Sequence, residues 1–305
     1  SFYWQARGRG DKPEAGDSLL LDFFNPTTKT WTNVWFMKGH TTPVGDTSFK
    51  FVLIPIRDVS FLKDSFQLRF RNYATISGNV DHWHIDYVLL DKNRTYLDTV
   101  FSDVAFTYNS GGLLKNYHAM PWKQYTATEM RTGIDNLYIR NNDTLVKNIA
   151  SFGYTVKNGT GNTEADYTGG SGNINPFFSS GYGNVPAITN PPVGNNVPGP
   201  FAPYAYPALT DTATFVTTFI LNTTPDRDRW NDTLRYVQKF HNYYAYDDGT
   251  AEGGYGLNVT GGQIAYKFTL NSPDTLKAVQ FYFNWIPPKV THRRFRIRIW
   301  NDAGG

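Results

Sequence analysis

Short apolar runs separated by turn-forming residues fill this chain, and helical periodicity is almost absent from it. Its first ninety residues hold five such runs: "DSLLLDFFN", "KTWTNVWFMKG", "FKFVLIPI", "SFQLRFRNYA" and "HWHIDYVLL". The runs alternate or are briefly apolar, and Gly, Pro, Asn or Asp punctuate them, which is typical of strands joined by turns. Such a series predicts an antiparallel β-sandwich.

The composition agrees with an all-β chain and excludes several function classes. Aromatic residues make up 16% of the 305 residues, and Thr, Asn, Gly and Asp are abundant. There is no cysteine, which excludes disulfides and thiol chemistry. The net charge is only +3, from scattered Lys and Arg apart from "THRRFRIRIW", so we expect no nucleic-acid partner. No apolar run approaches the ~20 residues of a membrane helix, so we expect no membrane span in this segment.

Changes in composition and in the grouping of strand-like runs along the chain predict three tandem antiparallel β-sandwiches. We expect a jelly-roll over residues 1–104, an Ig-like spacer over 105–242, and the start of a second jelly-roll over 243–305. The Gly-, Pro- and Asn-rich stretch 169–207 is predicted to be an insertion in the middle unit. The third unit is too short for a complete sandwich, and the chain starts without Met at "SFYWQ", so we expect both ends to be cut.

Two parts of the chain resemble a known protein family. "GRGDKPEAGDSLLLDF" and "SFQLRFRNYATISGNVDHWHIDYVLL" are similar to the MAM-like jelly-roll domain of Bacteroidetes surface proteins, which use type IX secretion and in some members gliding motility. The family ends this sandwich in an "IDDV"-like strand, and here Tyr87 follows Asp86 in place of the second acidic residue. "FHNYYAYDDGTAEGGYG", "LKAVQFYFN" and "FRIRIWNDAGG" also resemble a segment of the same secreted set. The resemblance implies an exported protein at the surface of a Gram-negative, Bacteroidetes-type bacterium, with partners in an outer-membrane or extracellular assembly.

The segment "GNVDHWHIDYVLL" places two imidazoles and a carboxylate on one face of a predicted strand. His82, His84 and Asp86 would share that face, while Trp83 and Ile85 would pack into the sandwich. Two histidines and an aspartate are a three-ligand set for zinc or iron. The alternative is a structural role, in which backbone donors fix the carboxylate.

The turn "YAYDDGTAEGGYG" is the candidate calcium site. Asp247, Asp248 and Glu252 lie beside glycines that can turn carbonyl oxygens inward, and calcium prefers such hard oxygen ligands. The alternative is an ordinary acidic turn held by its own N–H groups. Calcium is therefore the cofactor that this turn suggests.

Two further sets of residues are predicted to be modified or to contact partners. Six Asp-Ser/Thr-aliphatic tripeptides resemble the O-glycosylation acceptor pattern of Bacteroidetes exported proteins, although Asp before Thr is also ordinary turn chemistry. The acceptors would be Ser18, Thr99, Thr144, Thr212, Thr233 and Thr275. The insertion is rich in aromatic side chains with apolar area to bury on a partner. These are Phe177, Phe178, Tyr182, Phe201, Tyr204 and Tyr206.

Motifs for catalysis are missing from the sequence. It contains no Gly-x-Ser-x-Gly elbow, no His-Glu-x-x-His and no phosphate or dinucleotide loop. We therefore expect a non-enzymatic scaffold or adhesion protein, associated with the secretion or gliding apparatus. The alternatives are a carbohydrate-binding accessory module, which would bind glycans, and part of a hydrolase whose catalytic domain lies outside these residues.

Overall fold

A computed structural model describes most of the chain, and the described part is all-β. It covers residues 1–8, 10–40, 48–76, 78, 80–131, 137–169, 171–181, 183–184, 212–250, 256–257, 259–283 and 294–300. All pairs of strands in this part are antiparallel. Its helices are one α-helix, α1 (Phe177–Ser180), and two 3₁₀ turns, Trp122–Gln124 and Ala127–Glu129. The all-β prediction is confirmed.

The chain divides into two compact units. The first comprises Ser1–Tyr96, Ala251–Ile264 and Lys277–Gly305, and the second comprises Leu97–Thr250 and Ala265–Leu276. The predicted division into three sandwiches with boundaries near Val104 and Asn242 stays a prediction. The described residues after Thr250 form no strand, although "QIAYKFTL" and "LKAVQFYFN" have strand-like patterns. An extended run becomes a strand only when a neighbour pairs with its backbone groups.

Two three-stranded sheets form the first unit. Its strands are β1 (Phe2–Ala6), β2 (Ser18–Asn25), β3 (Thr30–Lys38), β4 (Lys50–Val52), β5 (Gln67–Tyr73) and β6 (Trp83–Asp86). One sheet has the order β4-β1-β6 and the other has the order β3-β2-β5. The two central strands, β1 and β2, supply the core, because alternate residues of each are buried together. These residues are Phe2, Trp4, Ala6, Leu19, Leu21 and Phe23.

A five-stranded sheet and a three-stranded sheet form the second unit. Its strands are β7 (Val104–Phe106), β8 (Tyr138–Asn141), β9 (Lys147–Asn158), β10 (Thr163–Gly169), β11 (Gly172–Ile174), β12 (Gly183–Asn184), β13 (Ala213–Thr223) and β14 (Thr233–Phe240). The large sheet has the order β10-β9-β13-β14 with β11 also on β9, and the small sheet has the order β12-β8-β7. The first part of the predicted insertion thus contributes two short strands and α1, because Ile174 reaches the core and β11 pairs with β9.

The long connection between β7 and β8 also contributes to the second core. Leu113, Leu114 and Met120 of this connection are buried beside Phe152 of β9 and Phe240 of β14. The buried Gln238 of β14 satisfies the connection's backbone. Its Oε1 accepts a 3.0 Å bond from Leu113 N, and its Nε2 donates a 2.7 Å bond to His118 O. A buried loop needs such partners, since each unpaired backbone group would cost free energy.

Candidate functional site

His82 and His84 attach the loop that follows β1. His82 Nδ1 accepts a 3.0 Å bond from the backbone N–H of Asp11. The His84 ring donates from Nε2 to the carbonyl oxygen of Arg7, 3.2 Å away. Backbone bonds from Arg7 N to His82 O and from His82 N to Asp11 O complete the attachment. These contacts correspond to the structural alternative for the histidine pair.

Two glycines let the loop approach the imidazoles so closely. A Cβ on Gly8 would lie 2.3 Å from His84 Nε2, and a Cβ on Gly10 would lie 2.0 Å from His82 Nδ1. Gly8 also has a positive φ of 58°, which favours glycine. Asp86 lies at the exposed end of β6 and accepts a 2.8 Å bond from Tyr87 N. Trp83 and Ile85 pack against the first core, as the alternation predicts.

The turn at Asp247 and Asp248 is held by its own donors. Asp247 Oδ1 accepts a 3.2 Å bond from Gly249 N. Asp248 Oδ1 accepts from Thr250 N at 2.8 Å and from Thr250 Oγ1 at 2.6 Å, and these bonds lower the pKa of Asp248. Glu252 lies outside the described residues, so calcium binding at this turn stays a prediction. Within the described ranges, no group of three or more His, Asp or Glu side chains has the arrangement of a metal site.

The start of the insertion stacks aromatic rings on an arginine. The Arg140 guanidinium lies 4.0 Å from the ring centre of Phe177 and 5.9 Å from that of Phe178, which are cation–π distances. Phe178 remains 70% exposed, so its ring is available to a partner. The other predicted contact residues, Tyr182, Phe201, Tyr204 and Tyr206, lie outside the described residues.

The predicted glycosylation acceptors are mostly accessible. Ser18 is half-buried, and the five threonines are exposed: Thr99, Thr144, Thr212, Thr233 and Thr275. The preceding aspartates also form turns, since Asp143 Oδ1 accepts a 2.7 Å bond from Thr144 N and Asp274 Oδ1 accepts one of the same length from Thr275 N. Accessibility and turn chemistry therefore coexist at these tripeptides, and their modification stays a prediction.

Sequence reasoning missed a cluster of acidic side chains at one end of the second unit. We call it the acidic cluster, and its members are Asp103, Asp226, Asp228 and Asp232. Asp103 directly precedes β7 and is fully buried, and Asp232 directly precedes β14 and is 5% exposed. The connection from β13 to β14, "TPDRDRWND", supplies the other members.

Asp103 and Asp226 accept hydrogen bonds from neighbouring groups, whereas one oxygen of Asp232 accepts none. Asp103 Oδ2 accepts bonds from Asn231 Nδ2 at 3.0 Å and Asn142 Nδ2 at 3.4 Å. Asp226 accepts from the Thr223 hydroxyl and from Val104 N. Asp232 Oδ1, in contrast, is buried without a hydrogen-bond partner. Burial, followed by the charges of Asp226 and Asp103, raises the pKa of Asp232 to about 7.

Lys147, which contacts Ser102 beside Asp103, is paired with a carboxylate outside this cluster. Lys147 Nζ lies 2.8 Å from Asp143 Oδ2, and it donates a 2.6 Å bond to the hydroxyl of Ser102. Arg229 acts on Asp232 in the direction that lowers its pKa, but burial and the charges of Asp226 and Asp103 outweigh it. The end of the second unit therefore concentrates buried negative charge.

Trp230 projects from the same β13–β14 connection and is 93% exposed. Its backbone N–H donates a 3.0 Å bond to Asp228 Oδ1, which fixes the turn below it. Arg227 and Arg229 precede it in the chain, and the Arg227 guanidinium lies 5.3 Å from the Phe101 ring centre. The signal in the sequence is a Trp within a run of alternating Asp and Arg residues, a pattern that by itself is also typical of a charged turn.

Comparisons with known proteins give no family for this chain. It matches no protein-family model, no curated protein and no solved structure. In the part of the chain that is described, no helix is long and apolar enough to cross a membrane. The site is therefore interpreted from its own geometry.

Proposed function

We propose that this chain is a non-enzymatic segment of an exported cell-surface protein, serving as a scaffold or adhesion element. The observation that carries the proposal is Trp230, a large aromatic side chain left 93% exposed on a short connection between long paired strands. Trp is enriched among the residues that dominate binding energy at protein interfaces. An exposed indole on a braced turn is suited to contact a partner with little loss of conformational entropy.

The architecture that we propose for this role is a series of β-sandwiches: a jelly-roll, an Ig-like spacer and a second, partial jelly-roll. The antiparallel sheets of both compact units support it. Association with type IX secretion or the gliding machinery, and a location at the bacterial surface, rest on the resemblance of the first and last segments to such proteins. Partners would then be proteins of an outer-membrane or extracellular assembly.

A carbohydrate-binding accessory module is the second candidate, and the surroundings of Trp230 favour it specifically. Sugar rings stack on an indole face, and charged groups beside the indole can bond to sugar hydroxyls. Arg229 directly precedes Trp230 in the chain, and Asp228 lies one residue before Arg229. The same residue thus serves either function, and the chemistry of the bound partner distinguishes them.

Binding of the whole chain to outer-membrane preparations from gliding Bacteroidetes tests the proposal. We expect saturable binding that Trp230→Ala weakens at least about tenfold, a typical loss for a central aromatic contact. A glycan array and periodate treatment of the membranes are run in parallel. Binding that survives periodate supports the scaffold or adhesion function, and periodate-sensitive binding with array hits supports the carbohydrate module.

Tyr73→Ala is the matched control, because Tyr73 is an aromatic residue that is 68% exposed in the first unit. It should leave the affinity unchanged. Equal binding by the wild type and by Trp230→Ala would remove Trp230 from the proposal. Lack of saturable binding to membranes and to glycans would contradict both candidate functions.

A further inference from the structure

We propose that the acidic cluster of the second unit binds a divalent cation of the calcium type, with oxygens of Asp232, Asp103 and Asn231 among its ligands. This site is separate from the turn at Asp247 and Asp248. It does not depend on the proposed function, because its evidence is the burial and the bonding of side chains at the ends of β7, β13 and β14.

The first argument is the unpartnered oxygen of Asp232. Asp232 is only 5% exposed, and its Oδ1 has no hydrogen-bond partner. A buried carboxylate oxygen that has lost its water without gaining a donor is costly. Such an orphaned atom in a native fold calls for an explanation, and an ion is a common one.

The second argument is the balance of charge around this oxygen. Asp226, Asp103 and Asp228 all act on Asp232 with like charge, and Arg229 is the cation that opposes them. Lys147 contacts Ser102, the residue before Asp103, but its ammonium group is paired with Asp143. Two nearby carboxylates repel each other unless a cation compensates them, and a bound divalent ion is often the largest local charge.

The third argument concerns which cation fits. The candidate ligands are all oxygens: two carboxylates and the buried side-chain oxygen of Asn231. Because none of these candidate ligands is an imidazole or a thiolate, a tetrahedral zinc ion does not suit the site. Calcium takes six to eight oxygens and completes its shell with amide oxygens, backbone carbonyls and water.

The position of the site implies a structural effect on the second unit. Asp103 directly precedes β7, whereas Asn231 and Asp232 end the β13–β14 connection, more than a hundred residues later in the chain. An ion that bridges them would fasten this connection, including Trp230, to the rest of the unit. Calcium removal should therefore loosen the connection first.

Thermal melting of the whole chain, stripped of metal at pH 8 and then supplied with millimolar calcium, tests the proposal. We expect calcium to raise Tm by about 4 °C or more, because a ligand that binds only the folded state stabilises it. Asp232→Asn should abolish this shift, and without calcium it should melt at or above the wild type, since it removes an uncompensated buried charge. Magnesium should shift Tm less than calcium does, because it demands a stricter octahedral shell.

Asp247→Asn is the matched control, and it also separates this site from the other predicted calcium site. It should keep the full calcium shift. A shift lost in Asp247→Asn and kept in Asp232→Asn would overturn the assignment, as would an unchanged wild-type Tm together with no calcium by elemental analysis.

If Asp232→Asn does not fold, Asn231→Ala decides. We expect Asn231→Ala to need about tenfold more calcium to reach half of the Tm shift, and an unchanged calcium requirement would overturn the proposal. This experiment measures Tm and bound calcium, and it does not measure binding to membranes or glycans. A negative result would therefore contradict the calcium site without bearing on the proposed function.

Discussion

Two buried aspartates, Asp22 in the first unit and Asp232 in the second, meet opposite surroundings. Asp22 lies in β2, is 1% exposed, and accepts bonds from three side chains. Arg69 Nε lies 3.0 Å from it, Arg71 Nε lies 2.6 Å from it, and Asn33 Nδ2 donates at 3.1 Å. The Arg71 bond above all lowers the pKa of Asp22 to about 2.

Asp232 is nearly as buried, yet its pKa is raised to about 7. Burial disfavours the charged form of both groups, so burial alone does not explain the difference. Donors surround the first carboxylate, and other carboxylates surround the second. The comparison indicates that a buried charge stabilises a fold only where the fold also supplies donors or a counter-ion for it. Asp22 has such partners, whereas Asp232 Oδ1 has no donor.

The largest expected effect comes from Asp143, the paired aspartate of the second unit. Asp143→Asn should reduce the free energy of unfolding of that unit by about 3 kcal/mol, because it leaves the buried ammonium of Lys147 without its counter-ion. Hydrogen exchange of the first amides of β9 measures the loss. Adding Lys147→Met should recover part of it, and a double variant that is weaker than Asp143→Asn alone would contradict the ion-pair explanation.

A pH titration gives an intermediate effect in the first unit. The folded pKa of Asp22, about 2, is below its usual 3.8, so its contribution is complete above that usual value and is lost as the pH falls through about 2. The protection of β2 and β5 amides against hydrogen exchange, relative to the intrinsic exchange rate at each pH, should fall over this window. Asp22→Asn should remove this dependence and cost about 2 kcal/mol at neutral pH, whereas Asp64→Asn, an exposed control, should change neither. A wild-type profile that is flat over the window would contradict the pairing.

The smallest expected effect has the opposite sign. In metal-free buffer, Asp232→Asn should leave the second unit unchanged or raise its free energy of unfolding by about 1 kcal/mol, because it removes a charge that burial disfavours and that Asp226 and Asp103 repel. Denaturation monitored by exchange of the β14 amides tests this. A loss comparable to that of Asp143→Asn would show that Asp232 has a stabilising partner, and the contrast between the two units would fail.

The local pattern of the sequence determined where most strands lie. All five runs of the first ninety residues contain a strand, from β2 to β6, and "TATFVTTFILNTT" and "TLRYVQKFHNYY" contain β13 and β14. Alternation also identified Trp83 and Ile85 as residues that face the core. These predictions succeed because side-chain direction in a strand repeats every two residues and needs no knowledge of distant chain.

Tertiary structure alone decided which polar groups meet. Asp22 is 47 residues from Arg69, and Asp103 is 128 residues from Asn231, so neither contact leaves a local pattern. His82 and His84 had the spacing of ligands, yet the loop that returns to them provides backbone partners. Spacing fixes which side chains share a face of a strand, whereas strand pairing and loop packing fix what lies opposite that face. That is why the sequence specified the strands, and why only the folded chain distinguished the satisfied carboxylate of Asp22 from the unsatisfied one of Asp232.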